Sequence, residues 1–334
     1  MRRRLYLLIA IFVIVINAAS VSADTSKSFS VTPLDPETKQ TQPSYYDLKV
    51  APNEQKVLPI RIFNGAEQAI KVKININNGA TNNNGITDYS GAGKKSATLK
   101  VGFSDIATID NENVTIPAKS AVDIPVTVIM PETKYDGQIL GGIRVTSAEE
   151  KEKPKASGIA SNIAYTVGVV LSETETKVTP DMSLLDVKTE QRNSQNYISA
   201  TLQNGAPVII KKLEAKASVT KKGSKKVLYE AENSSMRMAP NSQFDYGINL
   251  VNTAFKSGKY TMTVTGKADG KPFSFTKNFT IKNKEAKEFN KNSVYVTDKP
   301  TNNTYLFIII ATLVLIIIAS IIWYIKKNKK PTSM

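Results

Sequence analysis

The side chains best suited to chemistry here are amides and phenols rather than nucleophiles. Asn82-Asn83-Asn84-Gly85 is followed by Asp88-Tyr89, and Tyr135-Asp136-Gly137 stands further along. An asparagine amide offers a donor and an acceptor in one small plane, and a tyrosine offers a ring face with a hydroxyl at its edge. Sugars are held by such groups, so Asn82, Asn83, Asn84, Asp88, Tyr89, Tyr135 and Asp136 are candidate glycan contacts. The same letters fit a long hairpin loop that uses Asn and Gly for left-handed geometry. The second chemistry is cationic. Lys221-Lys222-Gly223-Ser224-Lys225-Lys226 reads as a hairpin tip with two lysine pairs, and Lys211 and Lys212 add to the charge. Concentrated lysines hold anionic polymers or anionic lipid headgroups, although a solvated hairpin has the same composition. No nucleic-acid motif accompanies the charge, so nucleic acid is not an expected partner.

The inventory excludes much else. The chain has no cysteine and no histidine. Zinc hydrolases and Ser-His-Asp or Cys-His enzymes are ruled out, and no disulfide holds the fold. A glycosidase needs two well-placed carboxylates. Asp88, Asp105, Asp110, Asp123 and Asp136 are available, but their spacing forms no motif and Asp123 falls on the outward register of a strand. No catalytic residue, metal or cofactor is assigned.

The elements that must position these groups are strands. Ile70 to Asn77 alternates apolar and polar without a fault, as a half-buried strand does. Val122 to Met130, Ile163 to Leu171, Phe244 to Leu250 and Tyr260 to Val264 repeat the period. Strands at roughly 10-residue intervals, separated by Asn, Gly, Pro and Ser, predict an all-β chain of two immunoglobulin-like antiparallel sandwiches. Pro59 and Pro125 are expected at strand starts, edges or bulges, since proline cannot donate to a ladder. Of Tyr45 and Tyr46, alternation sends one to the core. Gly141 and Gly142 inside a strand mark a bulge or a close approach, either at a ligand groove or at a seam with the second domain.

Both ends are apolar, in different ways. Arg2, Arg3 and Arg4 precede a short apolar run ending Val21-Ser22-Ala23, the pattern of a secretory signal peptide over residues 1–23. Residues 305–325 are apolar and uncharged, long enough for one transmembrane helix. Lys326, Lys327, Lys329 and Lys330 follow, which puts the 326–334 tail in the cytoplasm and residues 24–304 outside. The first domain is expected over 24–148 and the second over 159–283. A charged linker at 149–158 joins them, and a polar tether over 284–304 leads to the membrane. Charge divides unevenly. Residues 24–150 carry 13 basic and 15 acidic side chains, net −2, and residues 151–304 carry 24 and 14, net +10. Different partners for the two domains are expected.

A resemblance then emerges. Phe29-Ser30-Val31-Thr32-Pro33, Tyr46-Asp47-Leu48-Lys49-Val50, Asn84 to Tyr89 and Phe103-Ser104-Asp105-Ile106 occur in order, followed by Met130-Pro131 and Tyr135 to Ile143. Beyond the linker come Tyr165 to Leu171, Leu202-Gln203-Asn204, Val219 to Tyr229, Met238 to Ser242 and Gly258 to Thr261. The co-linear set resembles the WxL-interacting surface proteins of Gram-positive bacteria. That resemblance implies a peptidoglycan-binding module followed by a host-binding or partner-binding module, with no catalytic residues to transfer. The expected protein is a membrane-anchored scaffold joining peptidoglycan to a secreted WxL-domain protein. The alternatives are an adhesin for a host matrix protein and, least favoured, a wall-modifying enzyme.

Overall fold

The computed structural model describes residues 29–42, 45–148, 163–294, 296 and 304–328. The expected signal peptide, the 149–158 linker and most of the tail lie outside them. The first sandwich is built from β1 (Phe29–Pro33), β2 (Tyr45–Lys49), β3 (Gln55–Asn64), β4 (Ile70–Asn78), β7 (Ala107–Thr108), β8 (Asn113–Ile116), β9 (Ala121–Ile129), β10 (Gln138–Ser147) and β11 (Ala164–Ser172). One sheet runs β1-β3-β9-β7 and the other β2-β11-β10-β4-β8. The alternation read from the sequence sets the inward face: Val72, Ile74, Val126, Val128, Ile143 and Val145 are buried in one core. Tyr46 is fully buried, while Tyr45 is 52% exposed. The Tyr46 hydroxyl donates towards Pro59 O (2.6 Å) and Leu34 O (3.0 Å) and faces Leu34 N (3.2 Å), so the ring packs and its polar tip is satisfied.

The second sandwich comprises β12 (Met182–Arg192), β13 (Gln195–Asn204), β14 (Ile210–Lys221), β15 (Val227–Met238), β16 (Ser242–Asn249), β17 (Gly258–Ala268) and β18 (Lys271–Ile281). Its sheets run β12-β13-β16 and β15-β14-β17-β18. They close on a separate core that includes Ile198, Leu202, Leu213, Val219, Met262 and Val264.

Three expectations need correction. The strand from Tyr165 to Leu171 follows the linker but does not belong to the second sandwich. β11 lies between β10, antiparallel, and β2, parallel, and sends Val167, Val169 and Leu171 into the first core. Alternation fixes which face of a strand is buried, not which sheet receives it. The tether does not begin at 284 either. Helix α2 (Asn283–Asn292) buries Ala286 and packs Phe289 on Phe255 at 5.7 Å between ring centroids. An apolar pair three residues apart in a run of Lys, Glu and Asn is too faint a stripe to read in advance. Finally, Pro59 and Pro125 stand opposite each other in mid-strand. Pro59 O accepts from Leu34 N, so the missing N–H faces the side where β1 has already ended at Pro33. Helix α3 (Thr304–Asn328) is the last of the described elements, and Phe307–Tyr324 is long and apolar enough to cross a membrane.

Candidate functional site

The candidate glycan residues fall mainly in the excursion between β4 and β8. It contains the small hairpin of β5 (Ala80–Thr81) and β6 (Thr87–Asp88), and the single turn α1 (Phe103–Ile106). Two glycine positions on β10 make room for it. An added Cβ at Gly141 would lie 2.1 Å from the Phe103 ring inside the core, and one at Gly142 would lie 2.8 Å from Tyr89 outside. Gly168 stands beside Gly142 across the ladder and meets the Tyr89 hydroxyl and Tyr45. The Tyr89 ring therefore rests on a glycine-paved strip, and Asn77 Nδ2 donates to Tyr89 O at 2.8 Å. The ladder is unbroken across both glycines, so close approach is the reason for them, not a bulge. Burial raises the Tyr89 pKa, and Arg237 of the second sandwich pulls it back.

The tip of the excursion docks on the second sandwich, at the open edge between β15 and β16. Arg237 N donates to Gly85 O (2.9 Å), Asp245 N to Asn83 Oδ1 (3.0 Å) and Ala239 N to Thr81 Oγ1 (2.9 Å). The Thr81 and Ser242 hydroxyls share a buried hydrogen bond of 2.7 Å. Asn82 shapes the turn, its Oδ1 accepting from Asn84 N and Ile86 N. Gly85 has φ +70° and lies against Met236, so only glycine fits without strain. Ser96 adds a further tie, accepting from Gln203 Nε2 at 2.7 Å.

A second strut runs from the Tyr135-Asp136-Gly137 turn. Gln138 N donates to Pro207 O (2.7 Å), and Ile209 N returns a bond to Gln138 Oε1 (3.0 Å). Asn241, with its amide oriented by its partners, donates to Gly205 O (2.9 Å) and Thr98 O (3.3 Å). Tyr135 N donates to Oε2 of buried Glu173. Asp136 accepts from Thr174 Oγ1 (2.6 Å), which holds its carboxyl below the usual range.

The structure thus gathers Asn82, Asn83, Asn84 and Asp88 at the docking hairpin and sets Tyr135 and Asp136 apart at the other strut. Asn83 and Asn84 are both exposed, but Asn83 is tied to Asp245 N across the seam, and half-buried Tyr89 is engaged in packing. Depressions of about 280 and 260 Å³ flank Lys94 in the seam; Asn82, Asn83 and Asp88 line the first, and Asn77, Asn78 and Ser104 the second. Sequence reasoning missed Thr81, Ser242 and Asn241, which carry no periodic signal. The lysines do not form one patch. Lys221, Lys222, Lys225 and Lys226 share the exposed β14–β15 tip. Lys211 and Lys212 sit at the opposite end of β14, where Asp269 accepts from both backbone amides and Glu214 pairs with the Lys212 ammonium at 2.5 Å.

Residues 29–147 match the family model described as the WxL Interacting Protein peptidoglycan binding domain, and residues 154–291 match its host binding domain. No curated protein matches the chain. Similar solved structures include the E. coli chaperone DraB, at 12% identity and TM-score 0.30 over 77% of this chain and 98% of that one. The Class 5 fimbriae chaperone CfaA gives 13% and 0.33 over 75% and 99%. The Pseudomonas aeruginosa CupB2 chaperone gives 9% and 0.28 over 70% and 97%. Likeness this loose carries no argument about ligands.

Proposed function

Because the chain belongs to the WxL interacting protein family, we propose that it is a membrane-anchored surface scaffold linking peptidoglycan, at its first module, to a secreted WxL-domain protein, at its second. The order of parts carries this reading. A peptidoglycan-binding match and a host-binding match are followed by an uncharged apolar helix and then by Lys326, Lys327, Lys329 and Lys330. Positive charge after a span favours a cytoplasmic tail, which leaves both modules outside. Residues 293–303 alone separate α2 from α3, at most about 40 Å of extended chain. The second module therefore stays near the bilayer, where a bacterial partner reaches it more easily than a host ligand does. The matched domain's own description, host binding, supports adhesion to a host matrix protein as the second reading. Both matched domains are binding domains, which speaks against an enzyme.

The test treats the modules separately, with the division after β11 and not at 150. A chain of residues 29–176 is expected to pellet with purified peptidoglycan, and residues 177–296 to bind the WxL protein. Failure of the first to pellet would overturn the wall assignment. Binding of the second to matrix protein, with no affinity for WxL protein, would favour adhesion. Protease added to wall-stripped cells should remove both modules; their protection would overturn the orientation.

A further inference from the structure

The outer face of the β12-β13-β16 sheet is polar, half-buried and closed on one side by the docked hairpin. Lys188 pairs with Asp245 at 2.6 Å, and Arg192 pairs with Glu190 at 2.5 Å. Thr201 Oγ1 donates to Asp245 and Ser199 Oγ to Glu190, each at 2.6 Å. The Arg192 guanidinium lies 4.8 Å from the centre of the Tyr197 ring. Gly247 keeps the floor low there, since an added Cβ would lie 2.8 Å from Tyr197 and 3.0 Å from Arg192.

Two depressions lie along this floor and share Asn83 of the first module. One, the seam depression of about 280 Å³, is lined by Asp88, Lys94, Thr201 and Gln243. The other, about 370 Å³, is lined by Asn84, Arg192, Asn193, Tyr197 and Asn233. Neither is complete without both modules. Each is near the roughly 300 Å³ at which small-ligand sites begin.

The chemistry of the lining is selective. The floor cations are matched by floor carboxylates, Glu232 at the far rim pairs with Lys216 at 3.6 Å, and Asp88 and Lys94 face one depression together. An anionic polymer would find no net positive charge to reward it, since Lys94, Lys188 and Arg192 stand among Asp88, Glu190, Glu232 and Asp245. What remains is a row of amides and hydroxyls with one half-buried aromatic ring, Tyr197, beside the buried Phe244 and Tyr246, the groups that satisfy an uncharged polyhydroxylated chain bearing amides of its own. We propose that this two-part groove binds an uncharged run of N-acetylated sugars across the seam, with Asn83 and Asn84 between neighbouring sugars. The proposal rests on the wall-binding reading and places a contact surface on the second module as well as the first.

The probe is the N-acetylglucosamine tetrasaccharide, titrated calorimetrically into the full chain in detergent. Saturable binding that changes little between low and high salt is expected, since uncharged contacts are not screened. Asn84→Ala and Tyr197→Ala should each weaken it about ten-fold, the loss of one to two hydrogen bonds or a ring contact. Changing Lys221, Lys222, Lys225 and Lys226 to Gln should leave it unchanged. Asn84 is solvent-exposed, so Asn84→Ala keeps the test valid even where Tyr197→Ala unfolds. No binding, or unaltered binding by Asn84→Ala, overturns the groove. Pelleting with whole peptidoglycan runs in parallel. If the parent pellets and the tetrasaccharide does not bind, the groove fails and the wall reading stands. If the tetrasaccharide binds and nothing pellets, the wall reading fails alone.

Discussion

The two sandwiches turn the same corner with the same residues, yet only one of those corners is covered. Asn64-Gly65-Ala66 ends β3, and Asn204-Gly205-Ala206 ends β13. Both asparagines are fully buried. Asn64 Nδ2 faces the carbonyls of Gln68, Ile116 and Pro117, and its Oδ1 accepts from Ala66 N. Asn204 Nδ2 faces the carbonyls of Val208 and Ala239, and its Oδ1 accepts from Ala206 N. A left-handed residue follows in each: Lys119 N donates to Ala66 O, and Asn241 N to Ala206 O. The rims differ. Lys119 closes the first corner itself, bonding Gly65 O and pairing with Glu67 at 2.9 Å. At the second corner, Pro207 O and the Asn241 amide turn outward to the first module. A shared interior construction thus says nothing about docking; two or three rim residues decide it.

The largest expected effect tests how independent the two modules are. A chain ending at residue 150 lacks β11 and leaves β2 and β10 with a strand-wide gap. It should show no cooperative urea transition by circular dichroism, while a chain ending at 176 should show one. Cooperative unfolding of the shorter chain would mean that the first sandwich does not need β11.

Next come the corner asparagines. Asn64→Ala and Asn204→Ala each leave several buried backbone groups without partners, at about 1–3 kcal/mol or more apiece in unfolding free energy. Only Asn204→Ala should also raise protease cleavage at the seam. Equal loosening by both would erase the contrast between the corners.

Rim substitutions give smaller and unequal effects. Gly137 has φ +106°, and an added Cβ would lie 2.3 Å from Pro207 O. Gly137→Ala should therefore split thermal unfolding of the full chain into two transitions. Lys119→Ala at the open corner should cost under about 0.5 kcal/mol, as exposed pairs do. A single transition in the glycine variant would show that the hairpin alone holds the seam.

The smallest effect is in acid. Burial would raise the Asp245 carboxyl, but the Lys188 ammonium and the Thr201 hydroxyl outweigh it, and its pKa lies below the ordinary 3.8. The unfolded chain then takes up this proton before the folded one does. The stabilisation is present above about pH 4 and is lost as pH falls through the depressed value. The urea midpoint of the second module should drop on acidification, and Asp245→Asn should flatten part of that drop. Asp123 is depressed by Arg61, but both are exposed, so Asp123→Asn should change the first module's acid limb much less. Equal flattening would mean that burial is not what matters.

Much of the architecture is legible in the letters. Alternation locates β4, β9, β16 and β17 and sends one of Tyr45 and Tyr46 to the core, and an uninterrupted apolar run marks the terminal helix. Partnership is less legible. Tyr165 to Leu171 announces a strand, but a sheet is chosen by which edge is open, and that edge is formed by β10, on the other side of the linker, and by β2, far away in sequence. The hairpin residues Asn82 to Gly85 stand out as a loop, yet their use as a docking tip depends on β15 and β16. Asn204 and Asn64 were within reach, because each Asn-Gly-Ala stands six residues before an isoleucine that opens a strand. That signal lies in spacing between modules, and reading one strand at a time passes over it.

The position of β11 also sets a clock. A chain emerges from its N-terminus, and β1 to β10 are all available by residue 147. The five-stranded sheet of the first sandwich still has a slot between β2 and β10 until residues 164–172 arrive. Through that interval the apolar residues meant to meet Val167, Val169 and Leu171 are uncovered, and any other extended segment of similar pattern competes for the slot. The peptidoglycan-binding module therefore matures only after synthesis has passed beyond its own family boundary at 147.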